Sequence, residues 1–225
     1  MDRYIELIKN MPVDEHSFTT RKSTWAKFIQ NGKPASRILS EMFSEKNEIE
    51  LSRADLFALA KQNDYQRLAI ATILWGYPAG MRGNHFENIS NKLVLLEEIL
   101  KEAVLGIEDW DAHYSKTKSI RGLGLSTYTK FLYFCGAKVK TLPCVILDQR
   151  IIDVVNKGVL SGLGSLHGVR TSNASKKYCD YLKIIDEASK KYGASHGGVE
   201  MFIFAFGLNI KPAPNRSLLA LTSRG

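Results

Sequence analysis

Residues 116–155 have the most informative pattern of the chain, KTKSIRGLGLSTYTKFLYFCGAKVKTLPCVILDQRIIDVV. It holds a Gly-x-Gly turn, Gly122 and Gly124, which is followed directly by an amphipathic run, residues 125–135. Two glycines at this spacing permit positive φ angles and leave backbone amides uncovered, so the turn and the start of the next helix can hold a phosphate. The same turn is also common between two packed helices that bind nothing.

Basic residues flank this turn, which favours the phosphate-binding interpretation. Helical spacing buries the apolar residues of the following run and leaves the polar ones on the opposite side. A basic rim around exposed amides suits the backbone of a nucleic acid. The predicted contact residues in this region are Lys118, Arg121, Gly122, Leu123, Gly124, Ser126 and Thr127.

Asp148 stands at the start of a second helical run, residues 149–155, after a connector that contains Pro143 and an apolar approach, residues 144–147. A lone Asp at a helix start is typical of an N-cap. A carboxylate at that place would also face whatever the turn holds. Both roles are compatible.

These residues resemble the helix-hairpin-helix DNA glycosylases, whose pattern is a Gly-apolar-Gly hairpin, an amphipathic helix, a connector and an Asp that opens the next helix. GLGLSTYTKFLYF followed by ILDQRI is similar to their bacterial 8-oxoguanine-glycosylase-like branch. The resemblance implies an all-α fold with two helical lobes around a cleft, formed by one domain over residues 1–225. It places the hairpin motif at about residues 107–135 and nominates Asp148 as the catalytic carboxylate.

The activity that this resemblance implies is excision of a damaged base from double-stranded DNA by hydrolysis of the N-glycosidic bond, with 8-oxoguanine or another modified purine as the base. Bifunctional relatives carry a Schiff-base lysine two residues after the second glycine, where this chain has Ser126. Lys130 is one helical turn after Ser126 and projects from about the same side of the helix. It is therefore the candidate to supply the amine that Ser126 does not have. A solvated or phosphate-binding lysine is the alternative, and AP-lyase activity stays open.

The composition favours a polyanionic partner and a soluble chain. The 225 residues carry a net charge of +8, and 44% of them are hydrophobic, which is enough for a sizeable core. No apolar stretch is long enough to span a bilayer, and the charged N-terminus is unlike a signal peptide, so we expect a cytoplasmic protein without membrane contact. The oligomeric state is not predicted.

The cysteine pattern predicts no cofactor. An odd count of three cysteines argues against a disulfide framework and is too few for the iron–sulfur cluster of some helix-hairpin-helix glycosylases. No zinc-binding pattern is present, so we expect no metal in the chemistry. A monovalent cation at the hairpin is compatible with the resemblance.

The rest of the sequence predicts a series of helices, and no segment of it has a strand pattern. Capping signals start two of them, at Ser52 and at Asp64. The glycine-rich residues 76–83 are either a plain connector or a DNA-contact loop with Arg82 at its tip. Glu200, in an apolar helix, either pairs with a buried cation or sits in the first turn to suit the helix dipole, and we favour the second.

The main competing function is a non-catalytic helix-hairpin-helix DNA-binding module of a larger assembly. It would share the charge, the hairpin and the helical fold, but it would need Asp148 only as a cap. An RNA-binding factor is a weaker alternative, because the chain has no aromatic strand of the kind that stacks on RNA bases. The sequence does not indicate which residues would recognise the base.

Overall fold

The computed structural model describes residues 1–30, 32 and 34–211, and it confirms the predicted all-α class. The first six α-helices of this part are α1 (Ile5–Lys9), α2 (Lys22–Ile29), α3 (Pro34–Phe43), α4 (Arg53–Lys61), α5 (Tyr65–Gly76) and α6 (His85–Ser90). The next six are α7 (Leu93–Leu105), α8 (Trp110–Lys116), α9 (Leu125–Phe134), α10 (Gln149–Lys157), α11 (Ala174–Tyr192) and α12 (His196–Phe206). The apolar residues 218–221 predict a last short packed segment, which lies outside the described residues.

Three of the predicted helix starts are confirmed by their caps. Ser52 and Asp55 form a capping box at α4, and Asp64 accepts a hydrogen bond from the backbone amide of Arg67 at α5. Asp148 caps α10 through the amide of Ile151. Each cap satisfies an amide that a helix leaves without an intrahelical partner, which explains why these local signals fix the boundaries.

Two boundaries differ from the prediction. Apolar residues at helical spacing predict one helix over residues 86–104, but the structure has two, because Lys92 leaves the helical region with φ −120° and ψ 23° between α6 and α7. The second Gly-Leu-Gly, residues 162–164, is predicted as a loop, but it lies in a short 3-10 helix, Ser161–Leu166. No α-helix follows this copy directly, in contrast to the turn before α9.

The sequence prediction missed two small antiparallel sheets. The strands β1 (Ser17–Arg21) and β2 (Glu48–Ser52) pair with each other, and β3 (Lys138–Val139) pairs with β4 (Leu142–Pro143). β1 and β2 have only five residues each and are separated by two helices, so no hairpin turn marks them in the sequence. The register pairs Ser17 with Ser52, which brings the ends of both strands together.

Helix α9 is the centre of the packing. Its apolar residues, among them Tyr128, Phe131 and Leu132, are fully buried. Helices α4, α5 and α7 of the first half pack against it, while α10, α11 and α12 of the second half pack on one another. The candidate site, described in the next section, lies on α9 and at the start of α10. No helix of the described residues is long and apolar enough to cross a membrane.

Candidate active site

The predicted hairpin (residues 120–124) precedes α9, and of its two glycines Gly122 has the expected positive φ while Gly124 is extended with φ −84°. Gly122 has φ +86°, and a Cβ added to it would lie 2.9 Å from the Cα of His85, so only glycine fits there. Gly124 is exposed, and a Cβ added there would meet no atom within 4 Å. Within the described residues, the amides of Gly124, Leu125 and Ser126 donate to no backbone carbonyl, so they can receive an anion.

The predicted basic contacts lie on the same surface as this hairpin. Lys118, Arg121 and Arg82 are all exposed. A concavity of about 540 Å³ is lined on one side by the α5–α6 loop (residues 77–84), with Arg82, and on the other by the hairpin. The structure thus brings the loop and the hairpin together, as a DNA-contact loop requires.

Two of the predicted contact residues are engaged inside the protein instead. The side chain of Thr127 is buried, and its hydroxyl hydrogen-bonds to the hydroxyl of Tyr77 at 2.7 Å. Leu123 is buried as well, and its amide donates to the carbonyl of Ile120. Both residues therefore hold the hairpin and the α5–α6 loop in place and offer neither a side chain nor an amide to a phosphate.

Lys130 is buried, which contradicts the solvated alternative. Its side chain is only 7% exposed, and its Nζ donates to the Oγ of Ser126 at 3.1 Å and to the Ser126 carbonyl at 3.3 Å. The amine therefore lies next to the side chain of Ser126. The alkyl chain passes over Gly76, because a Cβ added there would lie 3.1 Å from Cδ of Lys130. The Tyr77 ring, 5.8 Å from Nζ, covers another side.

Asp148 uses its two carboxylate oxygens for different contacts. Oδ1 accepts the hydrogen bond from the Ile151 amide at 3.1 Å, and Oδ2 lies 3.6 Å from Nζ of Lys130. The carboxylate is 15% exposed, so the pair is reachable from the surface although it is largely desolvated. At this distance the carboxylate and the amine form an ion pair, and a proton can pass between them after a closer approach or through one water molecule.

Three hydroxyl groups hydrogen-bond to the backbone of residues 145–147, the segment that precedes Asp148. Tyr178 and Tyr181 on α11 donate to the carbonyls of Val145 and Ile146, at 2.8 and 2.9 Å. On the other side, the hydroxyl of Thr129 on α9 accepts from the amide of Leu147 at 3.1 Å. These bonds leave the backbone before Asp148 little freedom, so the position of the carboxylate relative to α9 is fixed.

The comparison with known families agrees with this geometry. Residues 11–204 match the family described as "Putative 8-oxoguanine DNA glycosylase OGG-like protein". The chain belongs to this family. Searches of the curated proteins and of the solved structures give no match. The matched range of this OGG-like chain contains the hairpin, Lys130 and Asp148, and membership supports a DNA glycosylase-like role with DNA as partner.

A second buried ion pair of the OGG-like chain was missed, and the favoured interpretation of Glu200 is wrong. Glu200 is fully buried on α12, and its Oε2 accepts from NH1 of Arg53 at 2.7 Å. Arg53 is 1% exposed and also donates to the hydroxyl of Tyr133, on α9, at 3.2 Å. Burial disfavours its charge, but Glu200 and Tyr133 outweigh that effect and raise the pKa of Arg53. Arg53 is therefore charged, whereas burial raises the pKa of Glu200 and the charge and hydrogen bonds of Arg53 oppose that rise.

The two ion pairs are close in space. Burial raises the pKa of Tyr181, and the negative charges of Glu200 and Asp148 both add to that rise. A phenol that is influenced by both carboxylates lies near each of them. Arg53, Glu200 and Tyr133 thus link α4, α12 and α9 close to Asp148.

The cysteines take no part in this site. Burial raises the pKa of the Cys135 and Cys144 thiols to about 12, so both are protonated near neutral pH. In the described part of the chain, no group of three or more His, Cys, Asp or Glu side chains has a metal-binding arrangement.

Proposed function

We propose that the chain is a DNA glycosylase that removes a damaged purine, with 8-oxoguanine as the first candidate, from double-stranded DNA. The observation that carries the proposal is the contact between Nζ of Lys130 and Oδ2 of Asp148, at 3.6 Å. This contact lies directly behind a hairpin with open amides, so a nucleotide held there would meet an amine and a carboxylate together.

DNA binding would depend on the backbone of one strand. The amides of Gly124, Leu125 and Ser126 would receive a phosphate, and the exposed cations Lys118, Arg121 and Arg82 would neutralise its neighbours. Rotation of the damaged nucleotide out of the duplex costs a few kcal/mol, and a damaged base costs less than a paired one. The α5–α6 loop, beside the hairpin, would enter the gap.

The chemical steps follow from the roles of the two side chains. Asp148 takes a proton from the ammonium of Lys130, and the neutral amine attacks C1′ of the sugar while the bond from C1′ to the base breaks. The base leaves with the bonding electrons and takes that proton from Asp148, which is then a carboxylate again. The positive charge that develops on the sugar is stabilised by the carboxylate. Opening of the sugar ring then gives an imine on Lys130, from which elimination cuts the strand.

Asp148 is essential in this scheme whether Lys130 or a water molecule attacks. We therefore compare the wild type with Asp148→Asn by single-turnover base release from duplexes that carry 8-oxoguanine, uracil or an alkylated purine. The variant should lose about 10²- to 10⁴-fold in rate, as for loss of a general base, while its affinity for the duplex stays equal or increases. Asp153→Asn, an exposed carboxylate on the same helix, is the matched control and should keep the wild-type rate.

The outcomes separate the competing functions. Equal rates in both variants and the wild type would remove Asp148 from the chemistry. Tight duplex binding by the wild type without base release from any substrate would favour the non-catalytic DNA-binding module. Tighter binding to duplex RNA than to duplex DNA would favour the RNA-binding factor.

A further inference from the structure

His16 is fixed next to Arg53 by the missed strand pair. The register that pairs Ser17 with Ser52 places His16 opposite Arg53 at the end of the sheet. The His16 carbonyl accepts from the amide of Arg53 at 3.1 Å and from the indole N–H of Trp75 at 3.2 Å. Its ring accepts at Nδ1 from Nε of Arg53, also at 3.2 Å. These hydrogen bonds fix both the backbone and the ring of His16.

The contact with Arg53 decides the tautomer of His16. A guanidinium has only donors, so Nδ1 must carry a lone pair and the proton of the neutral ring must be on Nε2. Burial, and then the positive charge of Arg53, lower the pKa of His16 to about 4, so the ring is neutral near pH 7. Among the described residues, none accepts a hydrogen bond from Nε2. His16 therefore presents a fixed N–H donor without a partner.

The surroundings of this donor are aromatic and only partly covered. The rings of Phe18, Trp75 and Phe204 lie 5.0, 5.4 and 5.7 Å from the His16 ring, between centroids. His16, Phe18 and Phe204 are all half-buried, so this cluster reaches the protein surface. An apolar, flat-sided surface with one neutral donor suits an aromatic heterocycle that carries a hydrogen-bond acceptor.

The same cluster adjoins a helix that contacts the side chain of Lys130 and the helix that Asp148 begins. Trp75 precedes Gly76, over which the side chain of Lys130 passes. The carbonyl of Phe204 accepts from Nε of Arg150, two residues after Asp148. The end of α5, which contacts the side chain of Lys130, therefore borders the cluster at one place. The start of α10, which Asp148 caps, borders it at another.

We propose that His16 recognises the base that is turned out of the duplex: its Nε2–H donates a hydrogen bond to a carbonyl oxygen of an oxopurine, and Phe18 and Phe204 contact the base. Arg53 and Glu200 are positioning residues in this arrangement. Glu200 holds the guanidinium, and the guanidinium holds the ring and its tautomer. This inference rests on the proposed function, because it assigns the base-recognition part of the same site.

Two substitutions of His16 distinguish recognition of the base from a structural contact with Arg53. His16→Asn keeps an acceptor near the position of Nδ1 for Arg53, but it has no donor at the position of Nε2. His16→Gln reaches that position with an amide N–H. We expect single-turnover release of 8-oxoguanine to fall about 10- to 100-fold in the Asn variant, as for loss of one hydrogen bond in a desolvated site, and to recover most of that loss in the Gln variant.

The control measurement uses a duplex that has no base to recognise. Affinity for a duplex with a tetrahydrofuran abasic site should be the same in wild type, His16→Asn and His16→Gln. His196→Asn, which breaks the contact of another half-buried histidine with Asp186, should keep the wild-type rate of base release. A thermal unfolding curve for each variant verifies that it is folded.

Three results would overturn the inference. Wild-type rates in His16→Asn, with 8-oxoguanine released normally, would remove His16 from recognition and leave the proposed function standing. A loss of affinity for the abasic duplex equal to the loss of rate would assign His16 a structural role. If the wild-type protein releases no base from any duplex, the proposed function fails and the inference fails with it.

Discussion

Nζ of Lys130 lies 3.6 Å from Oδ2 of Asp148, while Oδ1 of the same carboxylate caps the helix that Asp148 begins. The cap fixes the carboxylate at the start of α10, so the carboxylate cannot rotate away from the amine of Lys130. Because Lys130 is 7% and Asp148 15% exposed, the pair has limited contact with water. The N-cap uses one oxygen of Asp148 and leaves the other for the proposed catalytic role.

The two hairpin glycines should respond differently to alanine. Gly124→Ala adds a methyl group to an exposed amide surface, so it should weaken duplex binding about 10-fold by obstructing the phosphate, with little change in the free energy of unfolding. Gly122→Ala combines φ +86° with a contact of 2.9 Å to the His85 backbone, so it should cost about 1–3 kcal/mol of stability. Urea unfolding and a binding titration measure both effects. Equal stability losses in the two variants would contradict this assignment.

The buried hydroxyl of Thr129 should matter more than that of Thr72. Thr129→Val leaves the amide of Leu147 without its acceptor, which should cost about 1–3 kcal/mol and lower the rate of base release. Thr72 is equally buried, but its hydroxyl has no hydrogen-bond partner, so Thr72→Val should be neutral or stabilise by about 1 kcal/mol. Urea unfolding gives both values, and single-turnover kinetics gives the rate. A neutral Thr129→Val would show that the hydroxyl does not hold the approach to Asp148.

The hairpin and the caps could be predicted because their signals are local. A Gly-x-Gly turn, a Ser-x-x-Asp box and an Asp before a helical run each depend on residues a few positions apart. The side of α9 from which Lys130 projects was predicted correctly for the same reason. Its burial was not, because the space for its alkyl chain is left by Gly76, a residue more than fifty positions earlier in the chain.

The Arg53–Glu200 pair could not be predicted, because its partners are 147 positions apart. Its local signals were the acid in the apolar α12, for which pairing with a buried cation was the less favoured interpretation, and the alternation in β2, EIELS, where Ile49 and Leu51 are buried. Recognition of that strand would still not have given its partner, since β1 lies beyond two helices. The position of His16 depends on the same pairing and was missed with it.

Removal of one member of the buried pair should destabilise the protein strongly. Glu200→Gln leaves the guanidinium of Arg53 without a compensating charge, which should lower the free energy of unfolding by about 3–5 kcal/mol. The exposed pair of Arg21 and Glu48, at 2.8 Å, provides the control, because Glu48→Gln should change stability little. Urea unfolding at pH 7 measures both variants. Similar small losses in the two would mean that the Arg53 charge is already compensated elsewhere.

The neutral state of His16 predicts acid sensitivity of the fold. In the unfolded chain a histidine binds a proton at its ordinary pKa of 6.5, whereas the folded protein binds it only near pH 4. Protonation therefore favours the unfolded state as the pH falls from 6.5 to about 4, and stability is lost over that range. His16→Gln cannot titrate and should lose less stability between pH 7 and pH 5, measured as the urea midpoint. Identical pH dependence in both proteins would contradict the assigned state of His16.

The most direct test of the central claim is borohydride trapping on a duplex that carries 8-oxoguanine, followed by mass spectrometry of the digested adduct. If Lys130 attacks the sugar, the imine is reduced to a stable protein–DNA adduct that maps to Lys130 and is absent from Lys130→Ala. Lys92→Ala, an exposed lysine, should be trapped as well as the wild type. Base release without any adduct would contradict attack by Lys130 and assign the reaction to water activated by Asp148.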